Sequence, residues 1–142
     1  MMLDAFTEPF HAFGFYAALN GLIMLILSIL VVRARVKTQV VIGDGGKPEM
    51  AAPLRAHANN AEYVPMGLLL MLAMLPLGAS FWLTHAVGIP LTLGRILHAI
   101  GLSGSTGPST WRFVGMIFTW IAYIVGIVAV LWLAFVPNAV AS

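Results

Sequence analysis

The sequence has 142 residues, of which 61% are hydrophobic and only 8% are charged, and its formal net charge is +2. A soluble domain carries about 25% charged residues, and a chain this short could not bury so much apolar surface. The composition therefore excludes a soluble enzyme, a disordered chain and a nucleic-acid-binding protein, since seven basic residues are too few to follow a phosphate backbone.

Four apolar stretches are each long enough to cross a hydrocarbon core about 30 Å thick, which takes about 20 helical residues. The alternating pattern of a membrane β-barrel is absent, whereas a helix satisfies its own backbone hydrogen bonds in lipid. We therefore predict an all-α integral membrane protein, a single domain over residues 1–142 that forms a four-helix bundle of up-down topology. The predicted spans cover residues 11–32, 51–77, 79–101 and 113–136.

The first apolar stretch is expected to remain in the protein as a membrane helix. Asp4 and Glu8 precede it where a signal peptide would have basic residues. The stretch ends at Arg33 and Arg35 rather than at a small-residue cleavage site.

Basic residues occur in the first and third connections between the spans and not in the second. Arg33, Arg35, Lys37 and Lys47 follow the first span, and Arg112 precedes the fourth. The positive-inside rule places both of these loops in the cytoplasm and both termini on the opposite side of the membrane.

The second span contains polar residues that a lipid-facing helix would avoid. Arg55, Asn59 and Glu62 fall within one narrow stripe at helical spacing, with Tyr63 beside it and His57 on a nearly opposite face. A charge within a span costs at least about 2.5–3.5 kcal/mol and usually faces the bundle interior or a wet cavity. The structural alternative is that Arg55 pairs with Glu62 or extends to the headgroups.

The third span adds Arg95 and His98 near its cytoplasmic end, close to Arg112. Together with the second-span stripe they predict a basic pocket with one acid, open to the cytoplasm, although His98 alone is typical of a hydrogen-bonded core histidine. Arginine forks bind carboxylates, while Glu62 offers a partner to an ammonium and Asn59 to an amide. The pocket therefore suits a small zwitterion with several carboxylates, and a nearby cation would lower the pKa of a bound thiol.

No metal site is expected. The sequence has no cysteine, and no two of its four histidines have the i, i+4 spacing of helical metal ligands.

The run from Leu54 to Pro65 (Leu-Arg-Ala-His-Ala-Asn-Asn-Ala-Glu-Tyr-Val-Pro) resembles the second-helix signature of the MAPEG family. These are the membrane-associated proteins of eicosanoid and glutathione metabolism, including the microsomal glutathione transferases. The Gly-Asp-Gly-Gly loop at 43–46 and the run 95–102 (Arg-Ile-Leu-His-Ala-Ile-Gly-Leu) are similar to the small bacterial branch of the family. The length, the four spans and the basic first loop resemble it as well.

The resemblance implies a homotrimer in the bacterial inner membrane, with glutathione bound between neighbouring protomers as a co-substrate. The family members that act on eicosanoids have tyrosines in their third helix, and His98 and Leu102 are near the corresponding positions of this sequence. Arg112 is the candidate for the arginine that stabilises the thiolate in those enzymes. By this resemblance, we expect the following residues to contact glutathione: Arg33, Arg55, His57, Asn59, Glu62 and Tyr63.

These features together favour a glutathione-dependent transferase or peroxidase. A small apolar co-substrate, an electrophile or a lipid hydroperoxide, would reach the site through the bilayer. Two alternatives stay open. One is a non-catalytic binding protein of the same fold, and the other is a small proton-coupled multidrug exporter that would depend on Glu62.

Overall fold

A computed structural model describes residues 8–103 and 107–136. They form four helices: α1 (Pro9–Thr38), α2 (Pro48–Met74), α3 (Phe81–Ser103) and α4 (Thr110–Phe135). The all-α fold predicted from the sequence is therefore confirmed. Asp4 and both termini, which enter the predictions of a retained first helix and of orientation, lie outside the described residues.

Three of the helices, α1, α3 and α4, have the length and hydropathy of membrane-spanning helices. The remaining helix, α2, has 27 residues and is long enough to cross a bilayer at about 1.5 Å per residue. It carries the polar residues of the candidate site and packs against all three other helices. The arrangement is that of a membrane helical bundle, with the most polar helix at the contact with every neighbour.

Two prolines begin helices, since a missing N–H costs nothing in a first turn. Pro9 opens α1 and Pro48 opens α2. At the other end of α1, Arg35 and Lys37 lie in the last turn, where positive charge is favourable to the helix dipole. The helix stops at Gln39, whose φ of 57° is left-handed. The basic end of α1 therefore continues as helix beyond the apolar stretch.

Contacts at matching depth establish the up-down topology. Asn60 of α2 contacts Met24 of α1, and Ala56, one turn earlier, packs with Leu27. Residue numbers rise in one helix as they fall in the other, so α1 and α2 are antiparallel.

The same reasoning applies to α3. Asn20 of α1 contacts Thr92, and Leu27 packs near Leu102, so α1 and α3 run in the same direction. Gly101 of α3 lies next to Arg112 of α4, and His98 lies next to Gly115, so α3 and α4 are antiparallel. The topology predicted from the sequence is thus observed in the contacts.

Glycines bring α3 and α4 into close contact. A Cβ on Gly94 would lie 2.8 Å from the carbonyl oxygen of Gly115, and a Cβ on Gly115 would lie 2.5 Å from the backbone nitrogen of His98. Small residues of this kind let membrane helices approach closely. The glycine contact brings Thr119 of α4 next to Arg95 of α3, where the candidate site lies.

The outward faces of the bundle are apolar. On α4 the exposed side chains include Trp120, Ile124, Val128 and Trp132, and on α1 they include Ile26. Apolar side chains that face outward along whole helices are suited to contact with the hydrocarbon chains of lipids. The chain is therefore an integral membrane protein in contact with the lipid bilayer.

Candidate functional site

Arg95 is the centre of a polar cluster inside the bundle. Its side chain is 1% exposed. Nη2 donates to Asn59 Oδ1 at 2.6 Å, Nε donates to Asn60 Oδ1 at 3.3 Å, and Nη1 donates to Thr119 Oγ1 at 3.3 Å. Residues of α2, α3 and α4 therefore all converge on one guanidinium.

Aromatic rings and a histidine complete this cluster. The guanidinium of Arg95 lies 5.6 Å from the centre of the Tyr63 ring, a distance typical of a cation–π contact. The Tyr123 hydroxyl donates to the backbone carbonyl of Tyr63 at 2.6 Å. On the other side, Arg95 Nη2 lies 3.3 Å from Nδ1 of His98. The predicted residues Asn59, Tyr63, Arg95 and His98 are thus brought together.

A groove of about 590 Å³ adjoins the cluster at the contact between α3 and α4. Its volume lies within the range of about 300–1,000 Å³ that is typical of small-molecule sites. Arg112 lies in its lining, and Nη1 of Arg112 donates to the Gly107 carbonyl at 3.0 Å. The other polar and large side chains of the lining are His98, Ser109, Phe113, Met116 and Trp120.

Arg55 and Glu62 form a separate pair on the outer face of α2. Arg55 Nη1 lies 3.2 Å from Glu62 Oε1, and the two side chains are 60% and 48% exposed. Asn59 lies between them in sequence but is 8% exposed and faces Arg95. The predicted stripe is therefore divided, because it straddles the edge between the packed face of α2 and its outward face.

His98 is next to two of the predicted arginines. Its Nδ1 lies 3.3 Å from Arg95 Nη2, and it shares the lining of the groove with Arg112. The structure therefore brings Arg95, His98 and Arg112 together, while Arg55 and Glu62 form their own pair on the outer face of α2.

Two further predicted residues stand apart from this cluster. Arg33 is exposed near the C-terminal end of α1, and His57 is half-buried on α2. In the part of the chain that the structure describes, no hydrogen bond joins either of them to Arg95 or His98. Their role in binding stays a prediction.

Several residues of the cluster around Arg95 were missed at the sequence level. Asn60 had a usable signal, since a second asparagine next to Asn59 is costly within a span unless it is hydrogen-bonded. Thr119 had a weaker one, since it is the single serine or threonine of the apolar fourth span. Tyr123 had no distinct signal, since one tyrosine in an apolar span does not by itself indicate a polar cluster.

A second polar cluster, between α1 and α3, was also missed. The Tyr16 hydroxyl is hydrogen-bonded to Nδ1 of His85, and Gly88 leaves room for the Tyr16 ring. Asn20 is fully buried and donates to Thr92 Oγ1 at 2.9 Å. Asn20, in the middle of the first apolar stretch, was the signal that could have found it.

Comparison with known proteins identifies the family. The MAPEG family model matches residues 13–132. The chain belongs to the MAPEG family. It is also 39% identical over 117 residues to "Inner membrane protein YecN" of Escherichia coli strain K12, and equally to the protein of that name in E. coli O6:H1. Each alignment covers 82% of this chain and 88% of the relative. The resemblance stated from the sequence is confirmed.

Proposed function

We propose that this MAPEG protein is a glutathione-dependent enzyme of the bacterial inner membrane. It would act as a transferase on apolar electrophiles or as a peroxidase on lipid hydroperoxides. Family membership supports the substrate class, and the name of the E. coli relatives supports the location. The basic first loop supports a site that faces the cytoplasm.

The exposed pair of Arg55 and Glu62 is the observation that carries the proposal. Both side chains face outward from a helix that packs among membrane spans. Hydrocarbon does not tolerate an exposed ion pair at low cost, so a polar molecule or another protomer has to cover it. Glutathione carries two carboxylates and one ammonium, which complement a guanidinium and a carboxylate.

The same observation supports contact with a neighbouring protomer, and the family resemblance supplies the proposed number of three. A neighbouring protomer that covers the outer face of α2 would enclose the peptide between two chains. Arg33, at the basic end of α1, and His57, on another face of α2, would then contact glutathione from positions that one protomer alone does not bring together.

The chemistry needs one ionised thiol. The thiol proton leaves to water, the sulfur forms a bond to the electrophilic carbon, and the leaving group departs with its electron pair. In the peroxidase reaction, two thiols reduce one hydroperoxide to an alcohol and water and are oxidised to a disulfide. Arg112, in the groove beside His98, would stabilise the thiolate.

Turnover by the purified protein in lipid nanodiscs tests the proposal. An aryl halide and a fatty-acid hydroperoxide are offered with glutathione to the parent, Arg55→Ala and Arg112→Ala. Lys37→Ala serves as the matched control, since Lys37 is an exposed basic residue in the last turn of α1. We expect turnover by the parent and the control, and losses of tenfold or more in the other two variants.

The outcomes separate the alternatives. Glutathione binding without turnover of either substrate would identify a non-catalytic binding protein and overturn the enzymatic proposal. Proton-driven dye efflux from vesicles, abolished by Glu62→Gln, would identify an exporter.

A further inference from the structure

One ring connects the buried charge of Arg95 to the groove between α3 and α4. His98 is 5% exposed, contacts Arg95 through Nδ1 and lines the groove. Met116 likewise contacts Arg95 and lines the groove. Its sulfur lies 3.9 Å from Arg95 Nη1. The wall of the groove therefore has a buried guanidinium directly behind it.

The contact with Arg95 determines the protonation of His98. A guanidinium only donates hydrogen bonds, so Nδ1 of His98 has to accept. A neutral imidazole that accepts at Nδ1 carries its proton on Nε2. A doubly protonated ring would direct an N–H at a guanidinium, which is unfavourable. The contact with Arg95 therefore leaves Nε2 as the hydrogen-bond donor of His98.

Arg95 itself has neutral partners only. Within residues 8–103 and 107–136 no carboxylate lies within ion-pair distance of its guanidinium, and Glu62 pairs with Arg55 instead. The charged side chain that shares the groove with His98 is a second arginine, Arg112. A buried charge without an opposite charge is costly, and an anion in the adjoining groove would supply one.

We infer that His98 donates its Nε2–H to the sulfur of the bound thiolate and that Arg95 is the positioning residue that fixes this donor. The inference rests on the proposed function, since it takes the thiol of bound glutathione as the occupant of the groove that Arg112 lines. The thiol proton goes to solvent and the electron pair stays on sulfur, opposite the charge of Arg95. Arg112, whose Nη1 already donates to the Gly107 carbonyl, then shares thiolate stabilisation with His98.

The pKa of the bound glutathione thiol tests the inference. It is read from the ultraviolet absorbance of the thiolate across a pH series, in protein reconstituted into nanodiscs. His98→Phe keeps a ring without a donor, whereas His98→Gln places an amide N–H near the position of Nε2. We expect His98→Phe to raise the thiol pKa by about one unit, which is a tenfold fall in the acid dissociation constant of the thiol, and His98→Gln to reverse most of this rise.

Trp132→Phe is the matched control, because Trp132 is an exposed aromatic residue of the same helix α4 and does not line the groove. This control should leave the thiol pKa unchanged. An unchanged thiol pKa in His98→Phe, with a rise only in Arg112→Ala, would overturn the role of His98 and leave the proposed function standing. Equal losses in His98→Phe and His98→Gln would also overturn it. Parent protein that binds no glutathione would overturn the proposed function and this inference together.

Discussion

The guanidinium of Arg95 keeps its charge inside the bundle because three helices supply acceptors for it. Asn59 and Asn60, consecutive on α2, together with Thr119 of α4, accept from three different nitrogens. Removal of one acceptor leaves a charged donor unsatisfied, which costs more than the net value of the hydrogen bond. The cluster thus stabilises the fold as well as shaping the site.

Asn59→Leu should lower the stability of the protein, because it removes the shortest of these hydrogen bonds at 2.6 Å. The expected loss is about 1–3 kcal/mol, measured as a fall in melting temperature by circular dichroism in nanodiscs. Ala61→Leu, at an exposed position of the same helix, is the control and should melt like the parent. Equal melting temperatures for both variants would show that the Asn59 bond contributes nothing.

Helical periodicity could identify the polar side chains of α2, but it could not show which of them are buried and which are exposed. Arg55, Asn59 and Glu62 span a sector so narrow that spacing alone places them together. The structure turns Asn59 inward and leaves the other two exposed, because the edge of the α2–α3 contact runs through that sector. The position of such an edge depends on tertiary packing, which no single helix encodes.

The contact between α3 and α4 sets the geometry of both the cluster and the groove. Gly94 and Gly115 let the two backbones meet, and His98 lies beside Gly115 at that contact. A side chain at Gly115 would push α4 away from α3 and carry Thr119 away from Arg95. Helix spacing and charge stabilisation are therefore coupled at this point.

Gly115→Ala should destabilise the protein by about 1–3 kcal/mol, the usual cost of overpacking, because the added Cβ would lie 2.5 Å from a backbone nitrogen. Thermal unfolding measures the change. Gly21→Ala is the control, since a Cβ there meets nothing within 4 Å. If Gly115→Ala melts no lower than Gly21→Ala, the close approach of α3 and α4 is not required.

Hydropathy could predict that four helices exist, but it placed the end of the first span and the start of the second inside the observed helices, and it placed the end of the second span, residue 77, beyond the end of α2 at Met74. The first span was predicted to end at residue 32, whereas α1 continues to Thr38. The second was predicted from residue 51, whereas α2 begins at Pro48. Hydropathy reports the hydrocarbon boundary, while helices end where capping and backbone conformation stop them, as Gln39 does for α1.

The orientation predicted from the charge in the loops is open to direct measurement. The sequence has no cysteine, so a single introduced cysteine is the only thiol. Lys47→Cys should be protected from a membrane-impermeant maleimide in intact cells, whereas Ser80→Cys, in the turn between α2 and α3, should be labelled. The opposite labelling pattern would contradict a cytoplasmic site.

Assembly is the second property of the whole molecule that can be measured. Native mass spectrometry of the detergent-solubilised protein should give three times the protomer mass of 15.2 kDa. A neighbouring protomer would cover the exposed Arg55 and Glu62 side chains, which a single chain leaves open. A monomer that still turns over substrate would contradict a site between protomers.

Composition alone established the class of the molecule, because 8% charged residues exclude a water-soluble surface. The second-helix signature and the run 95–102 pointed to the family that the comparisons confirm. The contacts around Arg95 could not be predicted in the same way. They join residues of α2, α3 and α4 whose relative depth is set by packing.

Equilibrium binding of glutathione to the protein in nanodiscs tests the central claim most directly. The account predicts saturable binding by the parent and by Lys37→Ala. It predicts that Arg55→Ala weakens binding about tenfold or more, equivalent to about 1.4 kcal/mol. Parent protein that shows no saturable binding, or Arg55→Ala that binds as tightly as the parent, would contradict it.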